Sequence, residues 1–283
     1  MTNKRVAVVG DIMLDTLIQG PYEKIGAEAI PVIRANKVIH QLGAAANVAN
    51  NLHGLENEVK LFGWVGTDEP GRTVLSMLKD INISHYVSSH SGHTTHKMRI
   101  NQIMRVDHEQ RSVPNAELMF HKIKDYEPEL IIVSDYGKGA ITQELFDSLK
   151  TLHKPILVDP KNLNYQGAFL ITPNRTEAEL MTGEKDTKKV IGKLKERYHT
   201  VLLTMGKEGM YLARGSERRH FPTQAKEIYD VMGAGDAVIS TIAHGIIKGK
   251  SLEDSIELSN KAAGIVCGHI GQYQVKQGEL DGK

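Results

Sequence analysis

The residues best suited to chemistry form Asp230-Val231-Met232-Gly233-Ala234-Gly235-Asp236, late in a chain of 283 residues. The stretch follows an irregular segment, residues 221–229, and leads into the apolar run 237–247, which reads as a buried helix. Two glycines and an aspartate therefore sit where a loop becomes a helix. A helix start offers unpaired backbone N–H groups and the positive end of the helix dipole. Together these form a seat for phosphate or another developing anion, and glycine lets that backbone approach closely. A carboxylate there can accept a proton, so Asp236 suits a general base for a hydroxyl. The same pattern also serves as an ordinary glycine turn with an aspartate cap.

Such a site needs elements that bring other polar groups to it. Val6-Ala7-Val8-Val9-Gly10 is a short apolar run, as expected of a buried parallel strand, and it ends at Gly10-Asp11 with Asp15 four residues on. Ligands in open α/β sheets bind at the carboxyl ends of strands. Asp11 and Asp15 could there accept hydrogen bonds from sugar hydroxyls, although turn chemistry explains Asp11 equally well. From residue 116 helical and extended patterns alternate, with strands at 130–135, 156–159, 169–172 and 201–204. This predicts a mostly parallel central sheet with helices on both faces. The segments 16–40 and 82–109 break the alternation. Pro21 and Pro31 interrupt helices, residues 31–39 read as a strand, and 96–100 with 104–107 alternate as a hairpin would. They predict a small antiparallel β lid on one α/β domain spanning 1–283. Residues 43–52 read as a small-residue helix with Asn47 in its first turn.

Composition narrows the function. With 35 basic and 34 acidic residues the net charge is +1, so no broad field recruits nucleic acid or anionic lipid. The single cysteine, Cys267, fits a reducing compartment and a small core residue. Neither a signal-peptide pattern nor a membrane-length apolar run is present, which predicts a soluble cytoplasmic protein.

Five strand ends carry polar punctuation: Gly10-Asp11, Asp135-Tyr136-Gly137-Lys138-Gly139, Asp159-Pro160-Lys161, Thr172-Pro173-Asn174-x-x-Glu177 and Thr204-x-Gly206-x-x-Gly209. Followed by Gly-Ala-Gly-Asp, they look like a composite phosphoryl-transfer site. The chain resembles the PfkB or ribokinase-like sugar kinases along nearly its whole length. Residues 230–236 match that family's C-terminal signature, and 43–47 its N-terminal one. Within the family it is most similar to the kinase half of bifunctional ADP-heptose synthases, on residues 8–15, 43–49, 135–140, 159–161 and 222–230.

That resemblance implies an ATP- and Mg²⁺-dependent kinase acting at the 1-position of D-glycero-D-manno-heptose 7-phosphate. The same chemistry on another sugar, sugar phosphate or nucleoside is the near alternative; a silent sugar-binding regulator is the distant one. Asp236 would be the base, and Gly233, Ala234 and Gly235 would supply the anion hole. Asn174 and Glu177 would organise Mg²⁺ and the nucleotide phosphates. Thr204, Gly206 and Gly209 would line the nucleotide site, with Asn260 near the adenine. Asp11, Asp15, Gly43, Asn47 and Lys161 would face the sugar. Phosphoryl transfer depends on positioning and charge neutralisation, and the chain has no Walker A loop, so a helix-start anion hole is the available substitute. A homodimer through the lid and a separate nucleotidyltransferase are the partners implied.

Three departures from the family pattern stand out. Ala44 replaces a signature glycine, Met232 replaces a threonine, and the hairpin near 97–107 is short. Matching polar with polar across that hairpin requires a loop of residues 101–103 and sets Arg99 opposite Arg105. Like charges directly opposite are unfavourable, and a bound sugar phosphate would give the pair a reason.

Overall fold

The computed structural model describes residues 4–23, 32–101, 103–111, 115–225 and 227–282. Its elements, in chain order, are β1 (Arg5–Gly10), β2 (Ile12–Gln19), β3 (Tyr22–Glu23), β4 (Val32–Ile33), β5 (Lys37–Ala44), α1 (Ala45–Gly54), β6 (Glu58–Gly66), α2 (Glu69–Asp80), β7 (Ser84–His90), β8 (Thr95–Ile100) and β9 (Met104–His108). They continue with α3 (Ala116–Tyr126), β10 (Leu130–Ser134), α4 (Gln143–Lys150), β11 (Ile156–Asp159), β12 (Leu170–Ile171), α5 (Arg175–Thr182), α6 (Thr187–Arg197), β13 (Thr200–Thr204), β14 (Met210–Arg214), β15 (Glu217–Phe221), α7 (Ala234–Ile247), α8 (Leu252–Cys267) and α9 (Gln277–Leu280).

The large sheet runs β15-β14-β13-β12-β11-β10-β1-β6-β7 and is parallel from β13 to β7. Its centre is apolar on both faces, as the run at residues 6–10 predicts. Val6 and Val8 belong to the core packed under α1, α2 and α7, whereas Ala7 and Val9 pack with residues of α3, α4 and α6. Successive side chains point to opposite faces, so one five-residue run feeds two cores.

The lid is a four-stranded sheet, β5-β2-β8-β9. Its outer pairs are antiparallel and its central pair, β2 with β8, is parallel. The hairpin register is as expected, with Arg99 opposite Arg105 and Ile100 opposite Met104; Gln102 of its loop lies outside the described residues. Several boundaries differ from expectation. The first lid strand begins at Ile12, because the chain turns at Asp11 and re-pairs with β5 at once. Residues 31–39 divide between β4 and β5, with Pro31 outside the described residues. Within 82–109, β7 pairs with β6 and extends the large sheet, so only β8 and β9 join the lid. The β14–β15 hairpin, unread in the sequence, ends the other edge.

Helices α2, α3, α4, α5, α6 and α8 start on Asp68, Asn115, Thr142, Asn174, Asp186 and Ser251, whose side chains accept a backbone N–H of the first turn. The helices α1 and α7, which meet each other, start without such a cap. The entry to α1 is strained. Residues 43 and 44 end β5 instead of opening the helix, and Ala44 turns the chain at φ 53°, ψ −129°. This conformation suits glycine, the residue the family signature carries there. A non-glycine residue so placed costs about 1–3 kcal/mol, offset by the extra unfolded-state freedom a glycine would bring, about 0.4–1 kcal/mol. Ala44→Gly should therefore stabilise the protein by roughly 0.5–2 kcal/mol, read as a higher urea midpoint at unchanged slope; a lower midpoint would refute the strain.

Candidate active site

Asp236 lies in the first turn of α7, with only 2% of its surface exposed. The Asn47 side-chain amide donates to its Oδ2 at 2.7 Å, and the Tyr136 hydroxyl donates to its Oδ1 at 3.1 Å. Burial pushes the carboxyl up to about 7, against the pull of those two hydrogen bonds. Asp15 raises it further and Lys97 lowers it. The helix opens on Gly233 at φ 75°, and among the described residues the amides of Gly235 and Asp236 find no acceptor. They face the cleft together with the carboxylate, the arrangement an anion seat requires. Gly233 is required for a second reason: a Cβ there would lie 2.1 Å from Oε1 of Gln272.

Each partner of Asp236 is held in turn. Asn47 is fully buried on α1, and its amide also donates to Gln272 Oε1 at 2.7 Å. Tyr136 belongs to a loop tied down by two aspartates. Asp11 accepts the backbone amides of Tyr136, Lys138 and Ala140 at 2.7, 3.0 and 2.9 Å. Asp135 accepts the Gly137 amide and the Tyr165 hydroxyl. Asp11, expected to face the sugar, instead has both its oxygens on the loop and does not line the cleft. Burial raises its carboxyl while the three amides oppose the shift.

The cleft, about 870 Å³, lies between the lid and the carboxyl ends of the parallel strands. On the lid side Asp15 and Arg99 form a 2.7 Å ion pair. Gly43 packs behind it, where a Cβ would sit 2.4 Å from Asp15 Oδ2; Gly43 supports Asp15 without lining the cleft. Lys97 also lines the cleft, its ammonium 5.6 Å from the Tyr136 ring centroid, and burial lowers its pKa. Arg105 departs from expectation: it pairs with Asp107 at 2.9 Å on its own strand, outside the cleft lining. Two carboxylates, one per guanidinium, thus relieve the Arg99–Arg105 pair without a phosphate.

On the opposite side Asn174 and Glu177 form a reciprocal capping box. The Glu177 amide donates to Asn174 Oδ1 at 2.9 Å, and the Asn174 amide donates to Glu177 Oε2 at 3.0 Å. The second oxygen of Glu177 faces Lys161 at 3.3 Å. Nearby Asp159 is pushed well above the carboxylate range by burial and by the charges of Glu177 and Asp236. This crowding of acids suits a cation. Mg²⁺ keeps most of its waters and binds through one or two carboxylates plus phosphates, so the absence of a three-ligand cluster among the described residues does not conflict with it. Thr204, Gly206 and Gly209 line the cleft where β13 bends through a 3₁₀ turn, and the Thr204 amide is tied to Pro173. Asn260 lines it too, but its side-chain amide is committed to the Pro222 carbonyl at 2.6 Å.

Tyr136, Lys97 and Gln272 were missed as site residues by the sequence reading. Tyr136 lies within the strand-end motif Asp135-Tyr136-Gly137-Lys138-Gly139. Gln272 follows α8 in a segment with no motif, and only the fold reveals it.

Protonation of Asp236 should be visible in stability. Its ordinary value is 3.8 and its folded value about 7. Between these the folded state binds more protons than the unfolded one, so stability falls as pH rises across that window. Asp236→Asn removes the titration. The stability of this variant relative to wild type should therefore grow by on the order of 2 kcal/mol from pH 5 to pH 8, measured by urea unfolding at both values; a difference independent of pH would show that the carboxyl is not raised.

A family model for pfkB carbohydrate kinases matches residues 3–277. Among curated proteins, the bifunctional protein HldE of Psychromonas ingrahamii is 37% identical over 298 residues, covering 98% of this chain and 63% of that protein. HldE of Helicobacter pylori is 38% identical, covering 95% and 64%. The chain thus spans somewhat less than two thirds of these relatives. In structure it is similar to a ribokinase from Thermotoga maritima, with a TM-score of 0.81 at 19% identity over 99% of this chain and 98% of that one. Arabidopsis thaliana ribokinase, solved with ribose and ATP, gives 0.78 at 17% identity over 100% and 98%.

Proposed function

Because this chain belongs to the pfkB family of carbohydrate kinases, we propose that it transfers the terminal phosphoryl group of ATP to the 1-hydroxyl of D-glycero-D-manno-heptose 7-phosphate, giving the 1,7-bisphosphate. The observation that carries the kinase chemistry is Asp236, a buried carboxylate poised near neutrality beside open helix-start amides. In this reading Asp236 takes the proton from the sugar hydroxyl as it attacks. The amides of Gly235 and Asp236 stabilise charge on the transferred group, an electrostatic contribution that needs no reorganisation. Thr204, Gly206 and Gly209 border the nucleotide, and Asn260 holds the Pro222 backbone beside it. Glu177 and Asp159 would hold Mg²⁺, which supplies charge neutralisation between the phosphates; Asn174 positions Glu177.

The heptose assignment is supported by similarity to the HldE proteins over nearly the whole chain and by the basic lid wall. Lys97 and Arg99 lie on one strand of the lid and both line the cleft. In this reading Arg99 exchanges its carboxylate partner for the 7-phosphate, since a guanidinium grips either through paired hydrogen bonds. A separate nucleotidyltransferase would act on the product. The exposed apolar side chains Val38, Met104 and Val106 on the lid strands would pair with a second copy in a homodimer, and the protein would work in the cytoplasm. No helix of the described residues is long and apolar enough to cross a membrane.

Two measurements test this reading. Asp236→Asn should lower kcat by about 10²–10⁴-fold, the usual worth of a positioned base, in an assay of ADP release with the heptose 7-phosphate. Activity within a few-fold of wild type would sink the base assignment. Arg99→Ala should raise KM for the sugar phosphate by about 10- to 150-fold, from a charged hydrogen bond of about 1.5–3 kcal/mol, and leave KM for ATP in place. Arg105→Ala, outside the cleft, should change either constant no more than several-fold. Equal losses on phosphorylated and unphosphorylated sugars would mean that Arg99 holds the lid instead of the phosphate.

A further inference from the structure

Gln272, in the irregular segment between α8 and α9, lies where the lid, α1 and α7 converge. Its backbone is clamped by Gln41 of β5. The Gln41 side-chain amide donates to the Gln272 carbonyl at 2.7 Å, and the Gln272 amide donates back to Gln41 Oε1 at 3.1 Å. Its side chain reaches two ways. Nε2 donates to Asp15 Oδ2 at 3.1 Å, and Oε1 accepts from Asn47 Nδ2 at 2.7 Å. A primary amide nitrogen has two hydrogens, and those of Asn47 are both assigned: one to Gln272, the other to Asp236. Asn47 Oδ1 meanwhile faces the Asn51 side-chain amide at 3.3 Å.

We infer that Gln272 is a positioning residue for the phosphoryl transfer: it fixes the rotation of the Asn47 amide so that a hydrogen, and not the amide oxygen, faces the carboxylate of Asp236, and it ties that orientation to the lid through Asp15. The inference rests on Asp236 being the base. The relay runs Arg99–Asp15–Gln272–Asn47–Asp236, every link 2.7–3.1 Å long. Seating the sugar at Asp15 and Arg99 is thereby linked to the electrostatics of the base on the other side of the cleft. Space is reserved for the link, because any side chain at residue 233 would collide with Gln272 Oε1.

Without Gln272, Asn47 is free to turn its oxygen toward Asp236. Loss of that donor removes an interaction that favours the charged carboxylate, so the base should protonate at higher pH. The other titratable groups facing Asp236 are Asp15 on β2, which also loses its Gln272 donor, Lys97 on β8, Asp159 on β11 and the neutral Tyr136 hydroxyl after β10.

The test is Gln272→Met, which removes both side-chain contacts at similar volume, with Gln272→Ser as the second variant should the first fail to fold. The Asp236 carboxyl is followed by carbon NMR of aspartate-labelled protein without substrate, its resonance assigned by its absence in Asp236→Asn. The titration midpoint should move up by half a pH unit or more. The acid limb of kcat/KM for heptose 7-phosphate should move by the same amount, and kcat should fall about tenfold or more. In an Asn47→Ala background, Gln272→Met should add no further shift, because the two act in series. An unmoved midpoint in the folded variant, or an equal additional shift in the Asn47→Ala background, overturns the relay. Failure of the base assignment is separate, since it would appear as an active Asp236→Asn.

Discussion

The structure depends on keeping one carboxylate out of water. Burying Asp236 disfavours its charged form, and at the start of α7 the open amides, the helix dipole, Asn47 and Tyr136 offset that penalty in part. The balance leaves the group near pH 7, where it can both accept a proton and release it. Much of the surrounding architecture supplies the partners. Asn47 reaches Asp236 from the first turn of α1, and the chain passes from β5 into that helix through the strained backbone of Ala44. Tyr136 reaches it only because Asp11 and Asp135 hold its loop by four hydrogen bonds from backbone amides. Stability is given up at the entry to α1 and at Asp236, and recovered in the two cores on either face of the sheet.

Much of this was legible in the sequence where the signal is local. Apolar runs alternating with helical patterns locate the parallel strands and the helices between them, because a strand buried on both faces needs a continuous apolar run. The hairpin register followed from matching polar with polar across a three-residue loop. The helix-start glycines and Asp236 were readable because backbone geometry imposes their spacing. What escaped was set by tertiary contact. β7 has the composition of a lid strand and joins the large sheet because β6 offers it a parallel edge. Asp11 has the chemistry of a sugar ligand, and only the loop from 136 to 140, folded back over it, shows its oxygens to be spent. Gln272 lies 225 positions from Asn47, and nothing in its neighbours marks it.

Under the proposed function, the lid wall would let a chain of net charge +1 receive phosphorylated substrates. No broad field steers them in. Instead the cleft holds cations already paired with carboxylates: Arg99 with Asp15, and Lys161 with Glu177. A phosphate arriving at such a pair would find a cation that is oriented and partly desolvated, and the carboxylate it displaced would keep other donors. Asp15 retains the Gln272 amide, and Glu177 retains the Asn174 amide. Exchange of this kind makes binding depend on geometry more than on charge, because an anion that fails to reach the guanidinium has only the existing pair to compete with. Lys97, whose pKa burial lowers, works in the same sense. An ammonium held out of water gains most from a partner that fits beside it, so under the proposed function discrimination among sugar phosphates would fall to the lid, while Asp236 and the start of α7 would supply the chemistry common to all of them.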